Sequence, residues 1–188
     1  LDSDSAAFIP AGKPYSVEAL GSEPLQYIYT YACPEQPQLI DRHPADEADA
    51  AMVEIFNKTK TRWAVSEAYE TWKPTELSKG YKLRARVLFD GRRGNTKEMC
   101  VSVFDIDGGC HYTHHYHSDP EIYYVISGHG VMRVDESDIE ITPGSALYIE
   151  PDIIHGLDSL GDEPLHTVVI FGENVVDEWT PVEHIYTE

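Results

Sequence analysis

The stretch Gly109–Gly128 decides the fold of this chain, and it reads GCHYTHHYHSDPEIYYVISG. Four of the nine histidines in the chain fall within seven residues of this stretch, and Glu121 follows them. Imidazole and carboxylate groups together suit first-row divalent metals, whereas a softer thiolate site would need paired cysteines. The stretch therefore predicts a site for one divalent first-row metal. The four histidines are His111, His114, His115 and His117.

Alternation along an extended strand decides which of these side chains point the same way. His115 and His117 project to one face, and continuing at period two brings Glu121 and Tyr123 to that face as well. Two imidazoles and a carboxylate thus converge from one strand-turn-strand unit. A fourth ligand has to come from elsewhere, and His155 is the best-placed remaining histidine.

The segments around this stretch carry the period of β-strands. Short runs that alternate or are β-branched are separated by Gly, Pro and Asp turns, with no helical segment between them. This arrangement predicts an all-β antiparallel sandwich or small barrel. The predicted strands are Tyr81–Phe89, Met99–Ile106, Ile122–Ile126, Val131–Val134, Ile139–Ile141, Ala146–Ile149 and Leu165–Phe171.

One long segment, Pro44–Trp72, has helical character instead. Apolar residues recur there at steps of three and four, and Pro44 with the acidic residues that follow it suits a helix N-terminus. The spacing predicts one interrupted helix or two short ones, ending before Pro74.

The spacing of the ligand candidates resembles the first motif of the cupin superfamily. Gly109, five residues, His115-x-His117, three residues, Glu121, six residues and Gly128 match that motif without a misplaced position. A second set resembles the second cupin motif, although it lacks the usual glycine between proline and histidine and its proline-to-histidine spacing is one residue short. A serine also stands where asparagine is common. The second set is Gly144, Pro151, His155 and Ser159.

The resemblance covers about residues 81–172 and implies a cupin-type antiparallel β-barrel, a jelly-roll-like double-stranded β-helix. An N-terminal strand segment and one or two helices would accompany this barrel. The resemblance also implies one metal ion, either Fe, Mn, Ni or Zn, held by four side chains. These are His115, His117, Glu121 and His155.

An internal repeat accounts for the beginning of the chain. Asp4–Ala32 aligns without a gap to Gly144–Gly172, with eight identities in 29 positions that include a shared Leu-Gly-x-Glu-Pro-Leu string. The first residues therefore resemble the back half of a second cupin whose front half is absent from this chain, and Tyr15 replaces the ligand that corresponds to His155. This is similar to bicupins in which one barrel has lost its metal.

The repeat gives the expected domain organisation. We expect a degenerate half-repeat, a helical linker, the metal-binding barrel and a C-terminal tail. The half-repeat cannot bury its apolar faces alone, so we expect it to pair with a sheet of a larger parent chain or of a second copy in a homodimer. The four segments are 1–33, 34–80, 81–172 and 173–188.

Composition excludes several classes of partner. The 188 residues include 33 acidic and 14 basic side chains, and the resulting net charge of −19 repels nucleic-acid phosphates and anionic lipid surfaces. No apolar run approaches the roughly 18 residues of a membrane span. Three scattered cysteines are too few for a disulfide framework, which favours a reducing, cytoplasmic setting. The expected partner is a small-molecule substrate, with neither nucleic acid nor membrane involved.

The ligand set leaves coordination positions open for water, oxygen or substrate, which favours an enzyme acting on a small polar or anionic metabolite. An O2-dependent dioxygenase is preferred, because the resembled superfamily often uses this ligand set for such reactions. A lyase, isomerase or decarboxylase stays open, with Tyr123 as base, since Tyr123 resembles the catalytic tyrosine of cupin-type dimethylsulfoniopropionate lyases. Tyr112 is a weaker candidate of the same kind. Tyr123 as a packing residue and a non-catalytic binding module also remain open.

Overall fold

The fold is described from a computed structural model, which covers residues 5–10, 13, 15–31, 54–57, 83–89, 98–172 and 180–181. The chain divides into two compact units, Leu1–Asn57 and Lys58–Glu188. All regular structure in the described residues is β-strand, so they contain no helix that could span a membrane. An all-β fold, as predicted, is what these residues form.

The described residues of the first unit include an antiparallel pair of strands, β1 (Ser5–Phe8) and β2 (Glu54–Asn57). The helix predicted over Pro44–Trp72 is therefore wrong at residues 54–57, and the rest of that segment lies outside the described residues. A short apolar run fits the helical and the extended period equally well, and here a strand about fifty residues earlier supplies its backbone hydrogen bonds.

The described residues of the second unit form ten strands in two five-stranded sheets. Sheet I has the order β12-β5-β10-β7-β8, and sheet II has the order β3-β4-β11-β6-β9. Every strand pair within these sheets is antiparallel. The strands are β3 Leu83–Phe89, β4 Cys100–Ile106, β5 His111–Tyr116, β6 Glu121–Ser127, β7 Gly130–Val134, β8 Ser137–Ile141, β9 Ala146–Ile149, β10 His155–Ser159, β11 Leu165–Phe171 and β12 Thr180–Pro181.

The core lies between the two sheets and is built from alternate residues of the central strands. On β11, Leu165, Thr167, Val169 and Phe171 are all buried, and each neighbouring strand contributes its own alternate set. The predicted strands of sheet II lie where the alternation places them, but β10 was not among the predictions. Its sequence, His-Gly-Leu-Asp-Ser, contains too few β-formers to indicate a strand.

The glycine that closes the first cupin-like motif holds the end of the barrel together. Gly128 has φ +85, and a Cβ there would lie 2.4 Å from the carbonyl oxygen of Pro164. Only glycine combines this backbone conformation with such a close approach. Pro164 belongs to the repeated Leu-Gly-x-Glu-Pro-Leu string, so the string and the motif glycine pack against each other.

The half-repeat differs from its C-terminal counterpart. Residues 155–171 form β10 and β11, but the corresponding residues 15–31 contain no strand in the structure. Leu25 and Tyr29 are 49% and 63% exposed, whereas their counterparts Leu165 and Val169 are fully buried. The bicupin organisation and the domain boundaries therefore remain predictions.

Candidate metal centre

Both sheets contribute to the predicted metal site. His115 lies on β5 and faces His155, the first residue of β10, across a strand pair of sheet I. His117 follows the end of β5, and Glu121 begins β6 of sheet II. All four side chains are buried, and one ligand atom from each lies within 4.8 Å of the others. The fold thus brings the four predicted ligands together.

Backbone carbonyls orient two of the imidazole rings. Nδ1 of His117 lies 2.7 Å from the carbonyl oxygen of Asp119, and Nδ1 of His155 lies 2.8 Å from that of Ile153. A carbonyl oxygen can only accept, so both Nδ1 atoms carry the proton and donate it. The Nε2 atoms therefore face the centre of the site, where their lone pairs are available to a metal once the rings are neutral.

Glu121 joins these two rings. Its Oε2 lies 2.7 Å from Nε2 of His155 and 3.2 Å from Nε2 of His117. Burial alone would raise the pKa of Glu121, but the hydrogen bonds with both histidines outweigh it and lower the pKa to about 2. Burial lowers the pKa of His117, but its hydrogen bond and charge interaction with Glu121 outweigh burial and raise it. Without a metal, the site thus favours a charged carboxylate beside a protonated imidazole.

The residues fit a divalent first-row ion. Oε1 of Glu121 is fully buried and has no hydrogen-bond partner among the described residues. A buried carboxylate oxygen without a partner is costly, and a cation at the centre of the cluster would satisfy it. Three imidazole nitrogens and one carboxylate oxygen form a donor set that suits Fe, Mn, Ni or Zn.

The loop before His155 resolves the departure from the second cupin motif. Asp152 occupies the left-handed region with φ 62, and its backbone N–H donates to the carbonyl oxygen of His117 at 2.8 Å. Aspartate tolerates this conformation better than most non-glycine residues. Asp152 therefore makes the turn that a glycine would otherwise make, and His155 still reaches the site.

A β-bulge lies in the strand that carries His115. Leu157 pairs with Tyr112 and His155 pairs with His115, so two residues of β5 face Gly156 alone. Strict alternation would place Tyr112 and His115 on opposite faces, because they are three residues apart. The bulge restores them to the same inner face, where their ring centroids lie 4.7 Å apart. Alternation alone therefore could not place Tyr112 on the same face as the ligand His115.

Tyr123 also lies on the inner face, as predicted. Its side chain is fully buried, and its ring centroid lies 6.3 Å from that of His155. Phe104 packs edge-on against Tyr123 and against Tyr112, so the three rings form one aromatic wall beside the site. Burial first, and then the charge of Glu121, raise the pKa of Tyr112 well above 10, which keeps its hydroxyl protonated.

Other residues singled out in the sequence lie away from the site. His114 is buried on the outer side of sheet I, and Cys110 packs against the edge of the core. The backbone register of β3 pairs Arg84 with Asp105 and Arg86 with Val103. One hydrogen-bonded pair could not be predicted from the sequence. Nδ1 of His166 forms a hydrogen bond with the carboxylate of Asp105 on the neighbouring strand of sheet II.

Comparison with known proteins agrees with this architecture. Residues 102–171 match the family described as Cupin domain. The dimethylsulfoniopropionate lyase DddW of Ruegeria pomeroyi is 32% identical over 75 residues, which cover 40% of this chain and 49% of that enzyme, so the match spans about half its length. An acireductone dioxygenase of Bacillus velezensis is 25% identical over 142 residues, covering 61% of this chain and 79% of that enzyme.

A solved structure shares the fold at low sequence identity. The DMSP lyase DddQ from Ruegeria pomeroyi DSS-3 superposes with a TM-score of 0.56 at 15% identity, covering 69% of this chain and 64% of that one. The two antiparallel sheets, the spacing of the first motif and the family match agree with one another. Residues 102–171 of this chain form a cupin domain.

Proposed function

We propose that this chain is a metal-dependent enzyme that transfers a proton on a small metabolite bearing a carboxylate, with Tyr123 as the base. The observation that carries the proposal is the position of Tyr123, fully buried and within 6.3 Å of the ring of His155. Three histidines and Glu121 hold the ion, which supplies Lewis-acid polarisation of the bound substrate.

Charge at the site favours a monoanionic substrate group. Three neutral imidazoles and one carboxylate around a divalent ion leave one net positive charge in a buried site, and a substrate carboxylate would neutralise it. The buried polar side chains among the described residues include no lysine or arginine. Among the described residues, the ligand cluster itself is therefore the part of the site that would hold the substrate carboxylate.

The two tyrosines have different tasks in this proposal. Tyr123, as the phenolate, accepts the proton from the carbon next to the polarised group and becomes the phenol, a step for which a positioned general base contributes about 100- to 10,000-fold. The pKa of Tyr112 is raised, so its hydroxyl stays protonated and donates a hydrogen bond to the substrate oxygen. In an elimination the electron pair of the broken C–H bond forms the new double bond, and the leaving group departs with the electrons of its bond to carbon.

An O2-dependent reaction, preferred from the sequence, is the second candidate. The donor set supports it, and so does the match to an acireductone dioxygenase, which covers more of this chain than the match to DddW does. In that reaction Tyr123 has only a packing role, consistent with its place in the core cluster.

We further propose a reducing, cytoplasmic setting and a homodimer. Among the described residues, Cys100 and Cys110 are free thiols, which fits a reducing setting.

One experiment separates the two reactions. Turnover of dimethylsulfoniopropionate and of an acireductone is measured with and without oxygen, at matched metal content, for the parent, Tyr123→Phe and Tyr124→Phe. Tyr124 is the control, because it neighbours Tyr123 on β6 but is only half-buried and faces outward. We expect oxygen-independent turnover that Tyr123→Phe lowers by about 100- to 10,000-fold and Tyr124→Phe preserves.

Two other results would contradict the proposal. Turnover that stops without oxygen and survives Tyr123→Phe assigns the O2-dependent reaction instead. Turnover of neither compound, with unchanged metal content, leaves a binding module in place of an enzyme for these two substrate classes.

A further inference from the structure

The bulge in β5 faces a glycine of β10, and a histidine ring covers that glycine on the outer face of sheet I. Gly156 follows the ligand His155, and two residues, Thr113 and His114, face it from β5. A Cβ on Gly156 would lie 2.8 Å from Cδ2 of His114 and 2.9 Å from the carbonyl oxygen of Tyr112. The ring of His114 therefore occupies the space that any other residue at position 156 would need.

The surroundings hold this ring in place. His114 is only 5% exposed, although it lies on the outer face of the sheet. On its other side, Gly156 pairs with Arg133 of β7. The guanidinium of Arg133 binds the carboxylate of Asp158, at 2.9 Å through Nε and at 2.8 Å through Nη2.

The bulge in turn controls two inner side chains. Tyr112 and His115 lie on either side of the two bulge residues in the chain. The centroids of their rings are 4.7 Å apart, and the ring planes make an angle of 52°. A bulge adds local twist and redirects the side chains beside it. The bulge therefore lies directly beside the ligand His115 in the chain.

We infer that His114 is a positioning residue for the metal site: by filling the gap above Gly156 it locks the β5 bulge and thereby the aim of His115 and Tyr112. This inference rests on the proposed metal site. His114 acts on His115 through its packing on Gly156 and through the backbone of β5.

The test uses Co²⁺ alone as the probe, with the full chain. Affinity is measured by competition with a chelator, and the visible absorption of the fully loaded protein reports ligand geometry. We expect His114→Ala to weaken Co²⁺ binding by about 10- to 100-fold and to alter the spectrum at saturating metal. His114→Phe keeps a flat ring and should restore both. His111→Ala is the control, because His111 lies on the same strand, pairs with Asp158 and is only half-buried.

A second variant reaches the same contact from the opposite side. Gly156→Ala pushes a methyl group into the His114 ring and should reproduce the loss of affinity, which keeps the inference testable if His114→Ala does not fold. Parent-like affinity and spectrum in His114→Ala, or in Gly156→Ala, would overturn it. If the parent itself binds no Co²⁺, the proposed metal site fails and this inference fails with it. Normal parent binding with unaffected variants overturns this inference alone.

Discussion

The charge pair in the metal-free site predicts a specific pH dependence of stability for the Glu121→Gln variant. Glu121 has a folded-state pKa below its ordinary 4.5, so its stabilisation is present above pH 4.5 and is lost as the pH falls towards 2. His117 has a raised pKa, so its stabilisation is fully present below pH 6.5 and is lost as the pH rises through the folded-state value. Both contributions are therefore fully present together between pH 4.5 and 6.5.

The magnitude follows from the pKa of Glu121. It falls from 4.5 to about 2 because hydrogen bonds with His117 and His155 outweigh the cost of burial. Each tenfold change in proton affinity corresponds to about 1.4 kcal/mol, so the charged carboxylate contributes on the order of 3 kcal/mol to the folding of the metal-free protein. This is a large share of the roughly 5–15 kcal/mol by which a typical domain is stable.

Urea unfolding of metal-free protein measures the effect. The free energies of unfolding of the parent and Glu121→Gln should differ by about 3 kcal/mol near pH 5.5, and the difference should shrink as the pH approaches 2. Glu140→Gln is the control, since Glu140 pairs with His129 at an exposed position and such pairs contribute little. An equal difference at both pH values would show that packing, and not the carboxylate charge, is what the variant lost.

Three further outcomes are expected. Elemental analysis should find about one first-row metal per chain, and His117→Ala or His155→Ala should remove nearly all of it, because each supplies one of few ligands; full retention in both would refute the ligand set. Leu157→Ala should lower the free energy of unfolding by about 2–5 kcal/mol, since this side chain is fully buried in the core; a change below that of an exposed leucine would place it outside the core. Light scattering should find a dimer that Tyr29→Asp converts to a monomer, because Tyr29 belongs to the exposed apolar half-repeat; a parent that is already monomeric would exclude the homodimer.

The strands of sheet II could be predicted because their alternation is local. Leu165–Phe171 alternates apolar side chains around a buried centre, and any window of the sequence shows this. β2 could not be predicted in the same way, because Glu54–Asn57 is set by a partner strand at Ser5–Phe8. Such pairing between distant residues leaves no periodic trace in either segment.

The metal ligands could be predicted from the sequence for a different reason. Metal coordination fixes donor types and spacing, so His115, His117 and Glu121 stand out even where strand boundaries do not. His155 was found by its place after a proline-containing loop, although the loop lacks its usual glycine. Its aspartate, Asp152, takes the left-handed conformation, which shows that the turn requires a positive φ more than it requires glycine itself.

Tyr112 shows where sequence periodicity stops being sufficient. A bulge changes the parity of every residue before it relative to every residue after it, so one extra residue decides whether Tyr112 faces the metal site or the solvent. The only local hint is Gly156 on the opposite strand, and a glycine inside a strand indicates a bulge or a close backbone approach. Here it indicates both, since the carbonyl oxygen of Tyr112 and the ring of His114 meet at that residue. The inner face of a cupin-like site is thus best assigned from the strand that opposes the motif, as well as from the motif itself.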